Sequence, residues 1–409
     1  MKKTYKYRIY PSKTQEQKLE TALDQACFLY NQMLDIKQQI YLGEEISLTE
    51  FDMNNIIKDF QTPALHSQVK QNIPKRISEA YKHFFRRVKS GETPGFPKFK
   101  KRIFYSSITY PQYKGNIKEG KIRLSKIGNM PIIEHRKIDG RTKTLTVKKE
   151  NNEWYVTVSC IDVPIETTVP EFTSEVEGID VGIKEFLVCS DNTEVANPKW
   201  LRNNESTIKK HQRRLSRKKK GSINRKKARI KLSKYHSNVG KQREDFHKKL
   251  ARNLAMKIEY IGVETLNIKN MVKNHCLAKS ISDAGWGKFF SYLKYYKTIF
   301  PGAVVEIGTF EPTSKTCSDC GHKQDMPLKE RTFCCESCGM IKDRDLNASI
   351  NIKKLAVKKL IAQEIKLNTV GHTEIYAFGD SVRLQSTIVE PVAVVVELGT
   401  TQREALKCR

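Results

Sequence analysis

Two pairs of cysteines lie toward the end of the chain, each with the CxxC spacing. The four residues are Cys317, Cys320, Cys335 and Cys338. Thiolates at this spacing, contributed by two separate knuckles, are typical of one tetrahedral zinc site. Four sulfur ligands leave no open position on the metal, which predicts a structural zinc rather than a catalytic one. Cys334 stands next to Cys335, but only Cys335 forms a CxxC pair with Cys338; His322 is a weaker alternative ligand.

Three acidic residues accompany apolar segments that are typical of core strands or of a helix start. They are Asp180, Glu264 and Asp345. Ile179 and Val181 flank Asp180, and a lone carboxylate on a buried strand would cost several kcal/mol unless it is paired, protonated or bound to metal. Three carboxylates on neighbouring elements can hold two divalent cations about 4 Å apart and promote in-line displacement at phosphorus. Mg²⁺ or Mn²⁺ suits such oxygen ligands, so we expect one of these ions.

Each of these carboxylates also has a plain structural explanation. Asp345 could cap a helix, and Glu264 could be an exposed strand end. Asp343 competes with Asp345 for the third catalytic position. We favour Asp345 because it lies within the start of the predicted helix and forms an Asp-x-Asn pattern with Asn347. The occurrence of all three carboxylates on a basic chain with a zinc module favours catalysis.

The charge of the chain indicates the class of partner. Its 409 residues carry a formal charge of +29, from 74 Lys and Arg against 45 Asp and Glu. So large an excess favours a polyanion, and nucleic acid is the usual one. Residues 209–231 contain thirteen basic residues and no acidic one. Such a tract would be self-repelling without a polyanion, although a solvated charged helix is the alternative.

Candidate nucleic-acid contacts lie in this basic tract and in two other places. Within the tract they are Lys209, Lys210, Arg213, Arg214, Arg217, Lys218, Lys219, Lys220, Arg225, Lys226 and Lys227. These side chains would contact phosphates without reading sequence. After Pro94, Phe96 and Phe99 are interspersed with basic residues and could stack on nucleotides, although such rings more often pack beneath their loop. Arg76 belongs to a basic, amphipathic helix predicted over residues 67–89.

The cysteine usage and the apolar segments bound the compartment. Five of the ten cysteines lie between residues 317 and 338, and the others are scattered singly. This is not a disulfide framework, and it indicates a reducing compartment. No apolar segment follows the basic N-terminus as in a signal peptide, and the longest aliphatic run, residues 392–396, is only as long as a strand. We therefore expect a soluble intracellular protein.

The first half of the chain combines strands with a helical segment. Residues 3–10 alternate as a strand, and a capping box at Thr14 and Gln17 predicts the start of a helix. Further helices are predicted over residues 48–60 and 67–89. From 94 to about 162 the pattern is that of strands, with a hairpin near its end. The first strand could join these later strands, which would make the helical segment an insertion into a small β domain.

From Gly178 onward the pattern is that of an α/β domain with a mixed sheet. Strands are predicted within residues 178–189, 260–264 and 303–307. One helix is predicted from 209 past Gly240 toward Met256, a second over 286–298, and a third from Asp345 to about Leu367. Residues 369–409 are near charge balance with few helical signals, so we predict a poorly ordered tail.

Together these motifs resemble those of one family. Their order along the chain is Gly-Ile-Asp180-Val-Gly, Gly-Val-Glu264, Ser314-Lys-Thr-Cys317-x-x-Cys320-Gly, Cys335-x-x-Cys338-Gly and Asp343-Arg-Asp345-x-Asn347-Ala. This order is similar to that of TnpB proteins, transposon-encoded RNA-guided nucleases related to type V CRISPR effectors. Residues 7–11 and 94–100 are similar to the N-terminus and the bridging loop of that family.

The resemblance implies an α/β and β mixed multidomain protein. A RuvC nuclease domain with an RNase H-like fold would take residues 173–309 and 341–368, with a zinc-ribbon insert at 310–340. A small β-barrel wedge domain would take 1–12 and 94–172 and carry a helical recognition insertion at 13–93. Asp180, Glu264 and Asp345 would match the catalytic triad, and the four cysteines would match the zinc-binding insert.

The resemblance also implies an RNA-guided, Mg²⁺-dependent endonuclease that cuts double-stranded DNA next to a short flanking motif. The guide RNA would come from the transposon end, with one protein per RNA, and base pairing would select the target. Such a protein would work in the prokaryotic cytoplasm, associated with the nucleoid. One rival is a transposase that uses an acidic triad to join DNA ends without RNA. The other is a non-enzymatic nucleic-acid-binding regulator, which would leave a buried Asp180 unexplained.

Overall fold

The computed structural model describes residues 1–115, 117–164, 172–309, 311–327 and 329–368. It divides into two compact units, Met1–Ile165 and Glu166–Arg409. The predicted poorly ordered tail, residues 369–409, lies outside the described residues. In the part of the chain that is described, no helix is both long enough and apolar enough to cross a membrane.

The first unit combines an antiparallel sheet with three α-helices. Its elements are β1 (Lys3–Ile9), α1 (Lys13–Glu44), α2 (Glu50–Ile56), α3 (Ser67–Lys89), β2 (Ser107–Tyr110), β3 (Ile117–Lys118), β4 (Lys121–Leu124), β5 (Gly128–Pro131), β6 (Arg141–Glu150) and β7 (Glu153–Ile161). Four strands form a sheet in the order β1-β7-β6-β2, and β3, β4 and β5 form a second small sheet. The first strand therefore pairs with strands that follow the helices, from Lys3 opposite Cys160 to Ile9 opposite Trp154.

The helix after β1 begins earlier than the capping box at Thr14 and Gln17 predicts. Ser12 is the N-cap: its side chain accepts from the amide of Gln15, and the Gln15 side chain accepts from the amide of Ser12 at 3.0 Å. The Ser12–Gln15 and Thr14–Gln17 pairs have the same spacing. Ser12 has the extended backbone that an N-cap requires, so the earlier pair forms the box.

The second unit is built on a five-stranded mixed sheet. Its elements are β8 (Ser174–Val181), β9 (Glu185–Cys189), β10 (Glu194–Ala196), α4 (Trp200–Asn203), α5 (Glu205–Ser216), α6 (Ile223–Lys257), β11 (Ile258–Glu264), α7 (Ile268–Met271), α8 (Ala278–Ala284), α9 (Trp286–Lys297), β12 (Ala303–Ile307), β13 (Thr332–Cys334), β14 (Ile341–Asp343) and α10 (Arg344–Asn368). The strand order is β10-β9-β8-β11-β12. β8, β11 and β12 are parallel, whereas β9 and β10 are antiparallel to their neighbours.

Helices pack on both faces of this sheet. Ile179 and Val263 belong to a core cluster that includes Phe289 of α9. The opposite face bears Gly178 and Gly262, which are cross-strand partners. A Cβ built on Gly178 would collide with the backbone of Ser349 and Lys353, so α10 lies directly against β8.

The basic tract does not form the continuous helix that was predicted. It divides into α5 and α6, with a connection over residues 217–222 in which Gly221 has a φ of 85°. The rings of His211 and Tyr235 stack with centroids 4.5 Å apart, which packs the two helices against each other. The continuous-helix prediction is wrong because this tertiary contact and the glycine both favour a turn.

Candidate active site and cysteine site

Two of the three predicted carboxylates lie on the same face of the five-stranded sheet. Side chains alternate between faces along a strand, so Asp180 follows Gly178 on the α10 side of β8. Glu264 follows Gly262 on the same side of β11 by the same rule. Because the two glycines are cross-strand partners, Asp180 and Glu264 come side by side at the carboxyl ends of two parallel strands.

The third carboxylate comes from the start of α10. Ser349 and Lys353 of this helix lie over Gly178, whereas the Asp345 Oδ2 atom lies 4.0 Å from the position of a Cβ built on Gly182. The helix therefore runs opposite to β8, and its first turn reaches the strand end that carries Asp180. The fold brings Asp180, Glu264 and Asp345 into one region.

The electrostatics of Asp180 reflect this convergence. Burial raises the pKa of Asp180 well above its ordinary value, and the charges of Glu264 and Asp345 raise this pKa further. The guanidinium of Arg344 opposes the shift. Like charges at such a site favour either protonation or a bound cation.

The other two carboxylates are held by neighbouring donors. The Thr313 hydroxyl donates to Glu264 Oε1. Asp345 is 18% exposed; its Oδ1 atom accepts from Arg344 at 3.3 Å, and its Oδ2 atom lies 3.6 Å from Arg331 Nη1. Both arginines lie close enough to Asp345 to compensate its charge.

Asp343 has the capping role that was the structural alternative for Asp345. Its Oδ1 atom accepts from the backbone amide of Asp345 at 2.8 Å and from that of Leu346 at 3.3 Å. These bonds satisfy amides of the first turn of α10, which have no partner within the helix. Asp343 thus caps α10, and Asp345 is the one of the two whose charge acts on Asp180.

The carboxylate oxygens do not form a closed cage for one ion. Among the described residues, only the four cysteines form a group of three or more His, Cys, Asp or Glu side chains whose ligand atoms all lie within 4.8 Å of one another. At least two of the three carboxylates are therefore further apart than this.

The four cysteines fit one tetrahedral zinc ion. The Sγ atoms of Cys317 and Cys338 lie 3.7 Å apart, and those of Cys320 and Cys335 lie 3.6 Å apart. Zn–S bonds of about 2.3 Å in a tetrahedron require sulfurs about 3.8 Å apart. Hydrogen bonds from the backbone amides of Cys338 and Ser337 lower the pKa of the Cys335 thiol, which favours the thiolate that a metal needs.

The neighbouring Cys334 is not in this group. It is exposed on β13, and its carbonyl oxygen accepts from Gln324 Nε2 at 2.8 Å. His322 is also outside the group; its carbonyl oxygen accepts from the amide of Cys317 at 2.8 Å, as part of the first knuckle.

Most of the predicted phosphate-contacting side chains are exposed on the α5–α6 hairpin. The exposed ones are Lys209, Lys210, Arg213, Arg214, Arg217, Lys218, Lys219, Lys220, Lys226 and Lys227. Arg225 is half-buried, and its Nη1 atom donates to the carbonyl oxygens of Leu215 and Lys218 at 2.8 and 2.9 Å. This side chain therefore fastens the turn of the hairpin.

In the first unit, Arg76 has a similar internal role. Its Nη1 atom donates to Ser107 O at 3.0 Å and to the Tyr105 hydroxyl at 3.1 Å, so α3 is fixed to the start of β2. Phe96 is 49% exposed, with its ring edge-on to Phe84, and Phe99 is 54% exposed. The two rings thus keep accessible surface, whereas the Arg76 guanidinium is already engaged.

Several buried polar residues were not recognised from the sequence. Thr313 and Asn351 are nearly inaccessible and bond across the site region. Glu177, 4% exposed, accepts from Ser174 Oγ at 2.6 Å and from Lys353 Nζ at 3.2 Å, which ties β8 to α10. No periodicity marks these residues, because most of their partners are distant in sequence.

Comparisons with known proteins match most of the chain. A family profile described as a probable transposase matches residues 145–275, and one described as a Cas12f1-like TNB domain matches residues 286–352. A third, described as a helix-turn-helix domain, matches residues 1–44, which here form one strand and one long helix.

Individual relatives and a solved structure agree with these matches. A protein of Streptomyces pristinaespiralis, named as a candidate RNA-guided DNA endonuclease, is 30% identical over 364 residues, covering 86% of this chain and 89% of the relative. InsQ of Escherichia coli K12, named in the same way, is 29% identical over 303 residues, covering 70% and 73%. The protein in a Cas12f1–sgRNA–target DNA complex has a similar fold, with a TM-score of 0.53 at 16% identity, covering 86% and 98%. The identity and coverage of the Streptomyces relative show that this chain belongs to the TnpB family.

Proposed function

We propose that this protein is a transposon-encoded, RNA-guided and divalent-metal-dependent endonuclease that cleaves double-stranded DNA next to a short flanking motif. One observation carries the proposal: Asp180, Glu264 and Asp345 come from three separate segments to one end of a mixed sheet. Burial and the charges of Glu264 and Asp345 raise the pKa of Asp180, so its ionised form is unfavourable without a bound cation. A catalytic metal site accounts for the convergence of three carboxylates at this place.

The proposed domain is a RuvC nuclease with an RNase H-like fold. A sheet of three antiparallel strands continued by two parallel ones, with α10 across one face, supports this assignment. The four-cysteine group would be its zinc ribbon. In the first unit, the sheets would be the wedge domain over 1–12 and 94–172, and the helices over 13–93 would be the recognition insertion.

The residues of this chain would act on the scissile phosphate by position and charge. Asp180, Glu264 and Asp345 would hold Mg²⁺ or Mn²⁺, which suit carboxylate oxygens. When bound, two such ions supply an activated water and stabilise the leaving 3′ oxygen. The Thr313 hydroxyl would orient Glu264, and Arg331 and Arg344 would orient Asp345.

The proposed partners are a guide RNA from the transposon end and the target DNA, with one protein per RNA. The name of the Streptomyces relative and the RNA and DNA in the Cas12f1 complex support this assignment. The formal charge of +29 provides the electrostatic attraction, and the exposed lysines and arginines of the α5–α6 hairpin provide phosphate contacts. Base pairing would then select the target, while the protein recognises the flanking motif and the duplex shape.

The test is guided cleavage by the wild-type protein and by two variants. The protein is expressed with its native flanking DNA, its co-purifying RNA is sequenced, and cleavage of a matching duplex is followed with Mg²⁺. Asp180→Ala should abolish cleavage while RNA and target binding persist. Asp245→Ala is the matched control, since Asp245 is exposed and pairs with Lys249 on α6. Cleavage by Asp180→Ala at the wild-type rate would disprove the assignment of the triad.

A transposase is the second candidate, because one matching family profile carries that description. It would use the same carboxylates to join DNA ends and would need no RNA. Strand-transfer products on the ends of the transposon, formed in an RNA-free reaction, would establish this alternative. Dependence of all cleavage on the guide RNA would exclude it.

A further inference from the structure

Asn347 forms hydrogen bonds with the backbone on both sides of Cys317, one of the four clustered cysteines. This residue of α10 is fully buried. Its Oδ1 atom accepts from the amide of Ser318 at 2.8 Å, and its Nδ2 atom donates to the carbonyl oxygen of Thr316 at 2.8 Å. Cys317 lies between these two residues. A carboxamide is the side-chain group that can donate and accept at once in this geometry.

A second asparagine, one helical turn further on, forms hydrogen bonds with the same segment. Asn351 Nδ2 donates to the carbonyl oxygens of Thr313 and Thr316 at 2.8 and 2.6 Å. The segment that leads into Cys317 is thus bonded to α10 at several backbone atoms. Because i and i+4 residues lie on the same helix face, the two asparagines form one continuous contact.

The segment that is bonded to α10, residues 313–318, also contacts a carboxylate. Thr313, 5% exposed, donates its hydroxyl to Glu264 Oε1 at the end of β11. At the other end of the network, Asn347 lies two residues after Asp345 in the first turn of α10. One short stretch, residues 313–318, is therefore bonded to Glu264 through Thr313 and, on either side of Cys317, to the helix that carries Asp345.

We propose that Asn347, Asn351 and Thr313 are positioning residues through which the folded cysteine site fixes the places of Asp345 and Glu264. The proposal rests on the proposed function, since it takes these two carboxylates as the metal-binding ones. Cys317 immobilises residues 313–318, the asparagines transfer that order to the first turns of α10, and the Thr313 hydroxyl transfers it to Glu264. Asp180 receives its position from the sheet and lies outside this network.

The test compares four variants of the full-length protein with its guide RNA. Asn347→Leu removes the hydrogen bonds to Thr316 and Ser318 with little change of side-chain volume. Thr313→Val removes only the hydroxyl. Thr313→Ser keeps the hydroxyl. Asn204→Leu is the matched control, since Asn204 likewise donates to a backbone carbonyl, that of Trp200 at 2.9 Å, away from the cysteine segment.

Two measurements separate positioning from folding. The first is the rate at which zinc passes to a chelator, and the second is the Mg²⁺ concentration for half-maximal cleavage. Loss of residues that orient metal ligands typically costs about 10- to 100-fold in metal affinity or activity, so we expect about a tenfold higher Mg²⁺ requirement for Asn347→Leu and Thr313→Val. Zinc release should be about tenfold faster for Asn347→Leu only. A merely structural role would lower the active fraction without moving the Mg²⁺ requirement.

The outcomes are distinguishable. Thr313→Ser and Asn204→Leu should resemble the wild type in both measurements. An unchanged Mg²⁺ requirement in Thr313→Val and Asn347→Leu, with zinc retained, would overturn the inference, and Thr313→Val alone decides it if Asn347→Leu does not fold. Absence of guided cleavage by the wild type would instead overturn the proposed function. Unchanged zinc release by Asn347→Leu would in that case overturn the inference as well.

Discussion

The contact between α10 and β8 leaves no room for a side chain at Gly178, and this gives a sharp prediction. A Cβ at this position would lie under 3.0 Å from the Ser349 carbonyl oxygen and the Lys353 amide nitrogen, and 3.0 Å from the Lys353 Cα atom. These are backbone atoms, so no rotamer change can relieve the overlap. The whole helix, with Asp345 at its start, must withdraw from the sheet in Gly178→Ala.

The size of the effect follows from ordinary contact distances. Van der Waals contact begins at 3.4 Å, so the helix would move by roughly 1 Å, and a misplacement of that size can cost about 100-fold in rate. Overpacking of this kind costs about 1–3 kcal/mol of stability. We therefore expect Gly178→Ala to cleave target DNA about 100-fold more slowly at saturating Mg²⁺ in a single-turnover assay. Guide RNA and target binding should be retained, since neither depends on the Asp180–Asp345 distance.

Two other glycines provide graded controls. A Cβ at Gly262 would lie 2.8 Å from Ala356 Cβ and 3.2 Å from Ile352 Cγ2, so Gly262→Ala should have a smaller effect of the same kind. Gly240, inside α6, has no atom within 4 Å of such a Cβ. Gly240→Ala should preserve cleavage and raise the free energy of unfolding by about 0.5–1 kcal/mol. If Gly178→Ala cleaved as fast as Gly240→Ala and melted at the same temperature, the close packing of α10 on β8 would be refuted.

Two further predictions concern the cysteine site and a buried histidine. Cys335→Ser should lose zinc, measured by elemental analysis, whereas Cys334→Ser should retain one zinc per chain; equal loss in both would contradict the assigned ligands. Burial holds the pKa of His247 down at about 4, so the unfolded chain takes up a proton that the folded chain does not as the pH falls below about 6.5, and stability present above that pH is lost toward pH 4. Urea unfolding should show about 2 kcal/mol less stability at about pH 5 than at about pH 7 from this group. His247→Gln keeps a donor for the Ala284 carbonyl oxygen and should reduce that difference; an undiminished difference would refute it.

Elements fixed by local pattern could be predicted from the sequence. The strand expected over residues 303–307 is β12, and the helix expected over 286–298 is α9, because apolar periodicity and turn residues mark both. The mixed sheet follows from the alternation of strands and helices. Where the same signal occurs twice, as in the two possible capping boxes near Ser12, pattern alone does not decide which is used.

The break in the basic tract after residue 216 does not follow from the charge pattern. Gly221 and Ser222 are a possible helix end and N-cap, and the Ser222 side chain indeed accepts from the amide of Arg225 at 3.1 Å. The uninterrupted run of basic residues favours one long helix instead. The stacking of His211 on Tyr235, which favours a hairpin over one long helix, is a tertiary contact that no local window contains.

The residues of the candidate site likewise divide into those that a local sequence pattern indicates and those that only tertiary contacts reveal. Asp180, Glu264 and Asp345 could be proposed because each stands beside an apolar segment. Thr313 and Asn351 could not, since their significance comes only from partners about fifty and forty residues away in sequence. The sequence suggests which groups do chemistry, whereas the groups that hold them in place become visible only with the fold.

The three carboxylates differ in how far their positions depend on contacts from neighbouring residues. Asp180 and Glu264 stand at the ends of paired central strands, whose hydrogen bonds and packing limit local opening. Asp345 stands in the first turn of a helix, and helix ends fray because their first amides lack partners within the helix. The cap from Asp343 satisfies two of these amides, and Asn347 anchors the same turn to the segment of Cys317. A cysteine site joined to this turn thus supplies, from outside the sheet, the order that a helix terminus lacks by itself.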